Sequence, residues 1–228
     1  MKKRNIIFIL LLSGLFLLSA FMIVKHLSTQ QKEKNVFREI TEIAECTEAL
    51  PIEVNSESVT EESRTVQTVH IRNLIALTEI NSDCVGWICI EGTNIDYPVM
   101  HTPNNPQKYL RKNFDGEYSS SGVPFMDSRC SIDGGTVILY GHNMKNGTMF
   151  SSLKKYLFAD FRSTHKNIMF QTVNGVRVYT VTNVKKTDIH DEVYNQLNDD
   201  GTLVLSTCYG SDKNGRLIII AKERKNNG

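Results

Sequence analysis

An excess of charge of either sign is missing from this chain: its 228 residues carry 26 Lys and Arg against 25 Asp and Glu, a formal net charge of +1. That balance gives no global basic field, so no nucleic-acid partner is expected. Proline is scarce, with 5 residues beside 14 Gly, and 40% of the chain is hydrophobic, which excludes collagen-like and wholly disordered chains. No internal repeat is evident. No Cys or His spacing matches a zinc pattern, so neither a metal nor a cofactor is expected. The length admits one sizeable domain plus extra segments and argues against two full enzyme domains.

What is present is distributed unevenly. Asn5 to Val24 reads NIIFILLLSGLFLLSAFMIV, twenty residues of which sixteen are apolar and none charged, directly after Lys2, Lys3 and Arg4. A helix of that length crosses roughly 30 Å of hydrocarbon at about 1.5 Å per residue. The alternative is a cleaved signal peptide, with Ser19 and Ala20 as small residues near a cut, but the apolar stretch is longer than a signal core. An uncleaved single-pass anchor is expected at the cell membrane, its basic tip cytoplasmic and the rest extracellular. Four of the basic residues and none of the acids lie in the first 26 positions, so the remainder carries 22 against 25 and is mildly acidic. The chain then divides into residues 1–25 as cytoplasmic tip and transmembrane anchor, 26–65 as a polar stalk, and 66–228 as the outward domain. Within the stalk, Lys32 to Ile43 has some helical character, whereas EALPIEVNSESVTEESR buries too little to offset its ordering entropy.

An outward domain sits where disulfides form, yet the cysteines number five, Cys46, Cys84, Cys89, Cys130 and Cys208, which leaves at least one thiol without an intramolecular partner. Cys89, in VGWICI, reads as a small buried hydrophobe, and a Cys84–Cys89 pair stays open. Val66 to Ile80 has apolar residues at helical spacing and predicts a short amphipathic helix. Beyond it the period becomes that of strands. VGWICI and NIDYPVM flank Glu91, Gly92 and Thr93 as a first hairpin, an extended piece covers Gly122 to Met126, and TVILY is a buried run. Thr148 to Phe158 predicts a short helix, Asn174 and Gly175 mark a hairpin between NIMFQTV and VRVYTVTNV, and TLVLSTC and RLIIIAKE flank SDKNG. Many short strands with little helix indicate a mainly β fold, closed or sandwich-like.

The chemistry gathers at strand ends. Cys208 terminates the run Thr202 to Thr207, His142 follows the strand in ILYGHNM, and Arg216 opens the strand after the SDKNG turn, so hairpin geometry returns its guanidinium toward the thiol. Three strand ends thus offer a nucleophile, an acid/base and a fixed cation. His70, His101, His165 and His190 have no companion nucleophile, and Trp87 and Tyr97 read as core.

The segments YGHNM with His142, LSTC with Cys208, and the downstream Arg216 resemble the His, Cys and Arg triad of sortases, membrane-anchored transpeptidases of Gram-positive bacteria. The family pattern is Thr-Leu-x-Thr-Cys, with Val204 here in the first place. NSDCVGWICIEGTNIDYPVM, KYL at Lys108 to Leu110, SGVPFMD at Ser121 to Asp127, and NGTMFSSLKKY resemble class B in particular, and the likeness runs from about residue 66 to 224. The resemblance implies a closed eight-stranded sortase-type β-barrel with short helices. It implies that Cys208 cuts a C-terminal sorting signal of secreted proteins through a thioester and passes them to an amine of peptidoglycan or its lipid-linked precursor. His142 would be the acid/base and Arg216 the stabiliser of the oxyanion or substrate carbonyls. By position, Leu110, Tyr140, Ser206 and Thr207 match residues of the class B peptide groove, and barrel-rim packing is the alternative for them. A secreted cysteine hydrolase of the same fold and an inactive sortase-like binding module are the competing functions. One departure stands out: class B members commonly carry a long helix-containing insertion between the sixth and seventh strands, where this chain has about twenty residues, Thr182 to Gly201, with a short helix at most in DEVYNQL.

Overall fold

The computed structural model describes residues 3–53 and 66–224. These fall into two compact units, residues 1–39 and 40–228. The first consists of helix α1 (Lys3–Ala44), whose last residues belong to the second unit. Between Leu11 and Ala44 this helix contains a fully exposed window of mean hydropathy 1.7, long and apolar enough to cross a membrane. The helix runs on without a break through Lys32 to Ile43.

The second unit is built on a closed barrel. Its strands are β3 (Cys84–Cys89), β4 (Asp96–Met100), β5 (Phe125–Met126), β6 (Val137–Tyr140), β7 (Asn167–Thr172), β8 (Gly175–Asp188), β9 (Thr202–Cys208) and β10 (Gly215–Glu223). They close in the order β10-β8-β7-β3-β4-β5-β6-β9, and all pairs are antiparallel except β4 with β5 and β6 with β9. The eight-stranded barrel expected from the sequence is therefore present. Ile88, Val99, Ile138, Leu139, Leu205, Ile218 and Ile219 are wholly buried in it. Gly175 has φ of +128° at the β7–β8 turn, a conformation that L side chains rarely adopt, which is why Asn-Gly marks this hairpin.

Short helices decorate the barrel: α2 (Leu74–Ile80), α3 (Ala159–Thr164), and 3-10 turns at Lys108–Arg111, Phe150–Leu157 and Glu192–Asn195. The expectation of one helix from Val66 to Ile80 needs correction. Val66–Arg72 is a strand, β2, paired antiparallel with β1 (Glu45–Glu53), and the helix begins only after Asn73, whose side chain caps it by accepting from Ala76 N at 3.1 Å. Val66, Val69 and Ile71 also suit a strand, and the partner that decides between the two lies on the far side of residues 54–65, which are outside the described residues. Arg72 ties this two-stranded sheet to the barrel. Its backbone exchanges hydrogen bonds with the Gln171 amide at 2.8 and 2.7 Å, and its guanidinium pairs with Asp96 at 2.7 Å over the Trp87 ring. Trp87 and Tyr97 are core residues, as expected. Cys84, Cys89, Cys130 and Cys208 are all free thiols. Cys84 and Cys89 stand at the two ends of β3, roughly 16 Å apart along an extended strand and so too far apart to pair.

Candidate active site

The strand β9 is buried along its whole length until Cys208, its last residue, which is exposed. Two register relations then bring the other strand ends to it. On one side β10 runs antiparallel with Arg216 directly opposite Cys208. On the other, β6 runs parallel with Tyr140 beside Ser206 as the last registered pair, and His142 follows two residues beyond the end of β6 as Cys208 follows two residues after Ser206. Three hydrogen bonds fasten this second side: Gly141 N donates to Ser206 O at 3.2 Å, Thr207 Oγ1 to Gly141 O at 2.7 Å, and Asn143 Nδ2 to Cys208 O at 2.9 Å. Gly141 is required by crowding, because a Cβ there would lie 2.6 Å from the buried Phe150 ring.

The His142 ring is oriented by Leu110, whose backbone oxygen is 2.9 Å from Nε2. A carbonyl only accepts, so Nε2 carries a proton and Nδ1 of the neutral ring is left as the base. Burial lowers the pKa of His142 below its ordinary value; the bond to Leu110 opposes this and the nearby Arg111 charge reinforces it. The imidazole is accordingly neutral at pH 7. Arg216 donates from Nη1 to Lys213 O at 3.0 Å and to Gly215 O at 2.9 Å, which fixes the guanidinium on its own hairpin. Burial pushes the thiols of Cys84 and Cys89 up to about 11 and about 12 and also raises Cys130, so these three are poor nucleophiles. Among the described residues Cys208 is the exposed thiol.

A groove of about 540 Å³ opens beside Cys208, and all seven candidate residues line it: Leu110, Tyr140, His142, Ser206, Thr207, Cys208 and Arg216. Leu110 and Tyr140 offer side chains of intermediate exposure, whereas Ser206 and Thr207 are almost fully buried, with their hydroxyls engaged by Tyr194 at 2.7 Å and Gly141 at 2.7 Å. The connection between β8 and β9 forms part of the remaining wall. Strand β8 continues to Asp188, so the connection to β9 is shorter than the pattern suggested, residues 189–201, and it supplies Ile189, Tyr194 and Asn195 to the groove. Its one turn of 3-10 helix, Glu192–Asn195, agrees with the short helix expected in DEVYNQL. Asp127 and Arg129 also line the groove, and Asn143 holds the Cys208 carbonyl. Asp127 closes the SGVPFMD segment and Asn143 follows His142 in YGHNM, whereas no sequence signal pointed to Arg129. No group of side chains suited to a metal ion occurs among the described residues.

The family model described as Sortase domain matches residues 88–224, which takes in all of these groups. The chain belongs to the class B sortases. It is 32% identical to sortase B of Staphylococcus aureus over 185 residues, covering 67% of this chain and 75% of that protein. Its fold is similar to the crystal structure of sortase B from Bacillus anthracis in complex with AAEK1, with a TM-score of 0.65 and 28% identity, covering 88% of this chain and all of that one. A Staphylococcus aureus sortase B–substrate complex matches with a TM-score of 0.58 and 30% identity over 67% of this chain and 85% of that one. Membership makes the chain a sortase transpeptidase of the cell wall.

Proposed function

We propose that the chain is a membrane-anchored cysteine transpeptidase in which Cys208, His142 and Arg216 carry out the transfer. The observation that carries this reading is the pairing of β9 on both sides, with Arg216 opposite the thiol and β6 leading to His142 in the same groove. His142 Nδ1 takes the Cys208 proton, and the thiolate attacks the carbonyl carbon after the Thr of a C-terminal sorting signal. As the tetrahedral intermediate collapses, the C–N bond breaks and the imidazolium returns the proton to the departing amine, leaving a thioester on Cys208. An amine of peptidoglycan or its lipid-linked precursor then attacks the thioester and gives its proton to His142. The Cys208 thiolate leaves and a new amide bond joins the secreted protein to the wall. Arg216, always charged, stabilises the oxyanion in both steps. Leu110 and Tyr140 contact the peptide, and Ser206 and Thr207 form the floor beneath it.

The exposed apolar stretch of α1 supports anchoring by one helix, with Lys2, Lys3 and Arg4 on the cytoplasmic side. On this reading residues 1–25 hold the chain in the membrane, 26–65 connect, and 66–228 form the extracellular catalytic domain. The test is to offer the full chain, in detergent micelles, a library of fluorescence-quenched peptides containing Thr at the expected cleavage position, with and without an added amine. Hydroxylamine should trap a hydroxamate ending at that Thr, and Cys208→Ala should abolish it. Cleavage that proceeds equally well without amine would instead make the chain a hydrolase.

A further inference from the structure

The groove wall formed by residues 189–201 is held by a charge pair that takes no part in the chemistry above. Arg129 donates from Nε to Asp127 Oδ1 and from Nη2 to Asp127 Oδ2, each at 2.9 Å, and Nη2 also donates to the backbone oxygen of Tyr194 at 2.9 Å. Asp127, 8% exposed, further accepts from Arg129 N at 3.0 Å and from Tyr140 OH at 2.8 Å. Tyr194 completes the ring: its hydroxyl is 2.7 Å from Ser206 Oγ, and its ring stacks on Tyr140 with centroids 6.1 Å apart. A single guanidinium thus joins Asp127, and through it Tyr140 on β6, to the wall, while the Tyr194 hydroxyl joins the wall to β9.

The two ends of the connection have their own fastenings. Lys185 pairs with Asp191 at 2.7 Å near its start, and Thr136 N donates to Leu197 O at 2.8 Å near its end. Between them lies a single 3-10 turn, too short to hold a fixed position by its own backbone bonds. The Arg129 fork and the Tyr194 contacts supply what that turn lacks. Fork geometry matters here, because a lysine has one nitrogen and cannot bridge both carboxylate oxygens and a backbone carbonyl.

We propose that Arg129, paired with Asp127, is a positioning residue that docks the 189–201 connection against Tyr140 and Ser206, and so sets how tightly the peptide substrate is held without touching the reacting atoms. The proposal deepens the reading of the groove as the sorting-peptide site. The donors around Asp127 outweigh its burial and hold its carboxyl at about 2, so the pair stays charged at every pH at which the protein would act.

The test uses the full chain in detergent with Arg129→Lys and Arg129→Gln. Three readouts are compared with the unaltered protein: amide hydrogen exchange, alkylation of Cys208 by iodoacetamide, and kinetics on the best-cleaved peptide of the library. Exchange of the Tyr194 and Gln196 amides, which bond to Asp191 O and Val193 O, should quicken about ten-fold while β9 and β10 stay protected. KM should rise about ten-fold, with kcat and the alkylation rate changing by less than about two-fold. Unchanged exchange in both variants overturns the proposal, as does a fall in kcat at constant KM, which would place the pair at the reacting centre. Should the Gln variant not fold, the Lys variant decides, since it keeps a positive charge beside Asp127. If the unaltered chain cuts no peptide, the functional reading fails while the exchange result still decides whether the pair holds the wall.

Discussion

Gly141→Ala is the substitution that most directly tests whether His142 is positioned by packing. Gly141 lies between β6 and His142 and is fixed from two directions, its N–H by Ser206 O and its carbonyl by Thr207 Oγ1. The added Cβ would sit 2.6, 2.7 and 2.9 Å from three carbons of the Phe150 ring, well inside contact distance. Phe150 has no exposed surface and starts the 3-10 turn Phe150–Leu157, and its own N–H donates to His142 O at 2.9 Å. The ring is hemmed in by the core, and any backbone shift that makes room for the methyl is passed to His142 through this bond. Overpacking of this kind costs about 1–3 kcal/mol, which for a domain of this size lowers Tm by roughly 2–12 °C. The effect on catalysis should be larger, because a displacement of about 1 Å at a catalytic group costs on the order of 100-fold. Differential scanning fluorimetry and kcat/KM on the best-cleaved peptide measure the two effects separately. The double variant Gly141→Ala, Phe150→Leu makes room for the methyl and should recover at least about ten-fold of the lost activity, a coupling expected of residues in direct contact. A Gly141→Ala protein with unaltered kcat/KM, or a double variant in which the two losses simply add, would refute the packing argument.

The other expectations concern charge and protonation. Arg216→Lys keeps the charge but cannot both grip the Lys213 and Gly215 carbonyls and present further donors to the oxyanion, so kcat should fall on the order of 100-fold in single-turnover assays. Because burial, opposed by Leu110 and aided by Arg111, lowers His142 below its ordinary 6.5, kcat/KM should rise with pH through a limb below 6.5 and be level by pH 7. A limb above 6.5 contradicts that assignment. Asp127, whose burial is outweighed by donors from Arg129 and Tyr140, drops from 3.8 to about 2, so its stabilisation is complete above 3.8 and disappears as the pH falls through about 2. That contribution is about 2 kcal/mol, and urea midpoints between pH 2 and 5 should slope for the unaltered protein and flatten for Asp127→Asn.

Much of this could be read from the sequence because it is local. The run TLVLSTC announces a buried strand that ends on a thiol, Asn174-Gly175 announces a hairpin, and the SDKNG turn sets Arg216 opposite Cys208. What escaped depends on partners distant in sequence. Val66–Arg72 carries apolar residues that suit a helix or a strand equally, and only β1, across residues 54–65, settles it. Lys185 to Asp188 look like loop, yet they pair with Gly215 to Ile218 and lengthen β8. Arg129 and Tyr194 are 65 positions apart, and nothing in SRC or in DEVYNQL signals that one guanidinium joins them. Ser206 and Thr207 stand where groove residues were expected, but their hydroxyls are committed to Tyr194 and Gly141, a detail that needs coordinates.

The arrangement separates two tasks that many enzymes mix. In the proposed mechanism the reacting groups stand at the ends of β9 and β10 and two residues beyond β6, strands buried in the barrel and tied to one another at their tips, so their mutual geometry is held by the core. The wall beside them is instead the connection 189–201, a loop outside the barrel pairings. A short connection has little internal structure with which to hold a shape, and here a guanidinium fork from the β5 side does that work. It follows that substitutions in the connection and around Arg129 can reshape one wall of the groove while leaving the barrel strands in place. A change in the bond-making chemistry requires moving strand ends that the whole core holds in place.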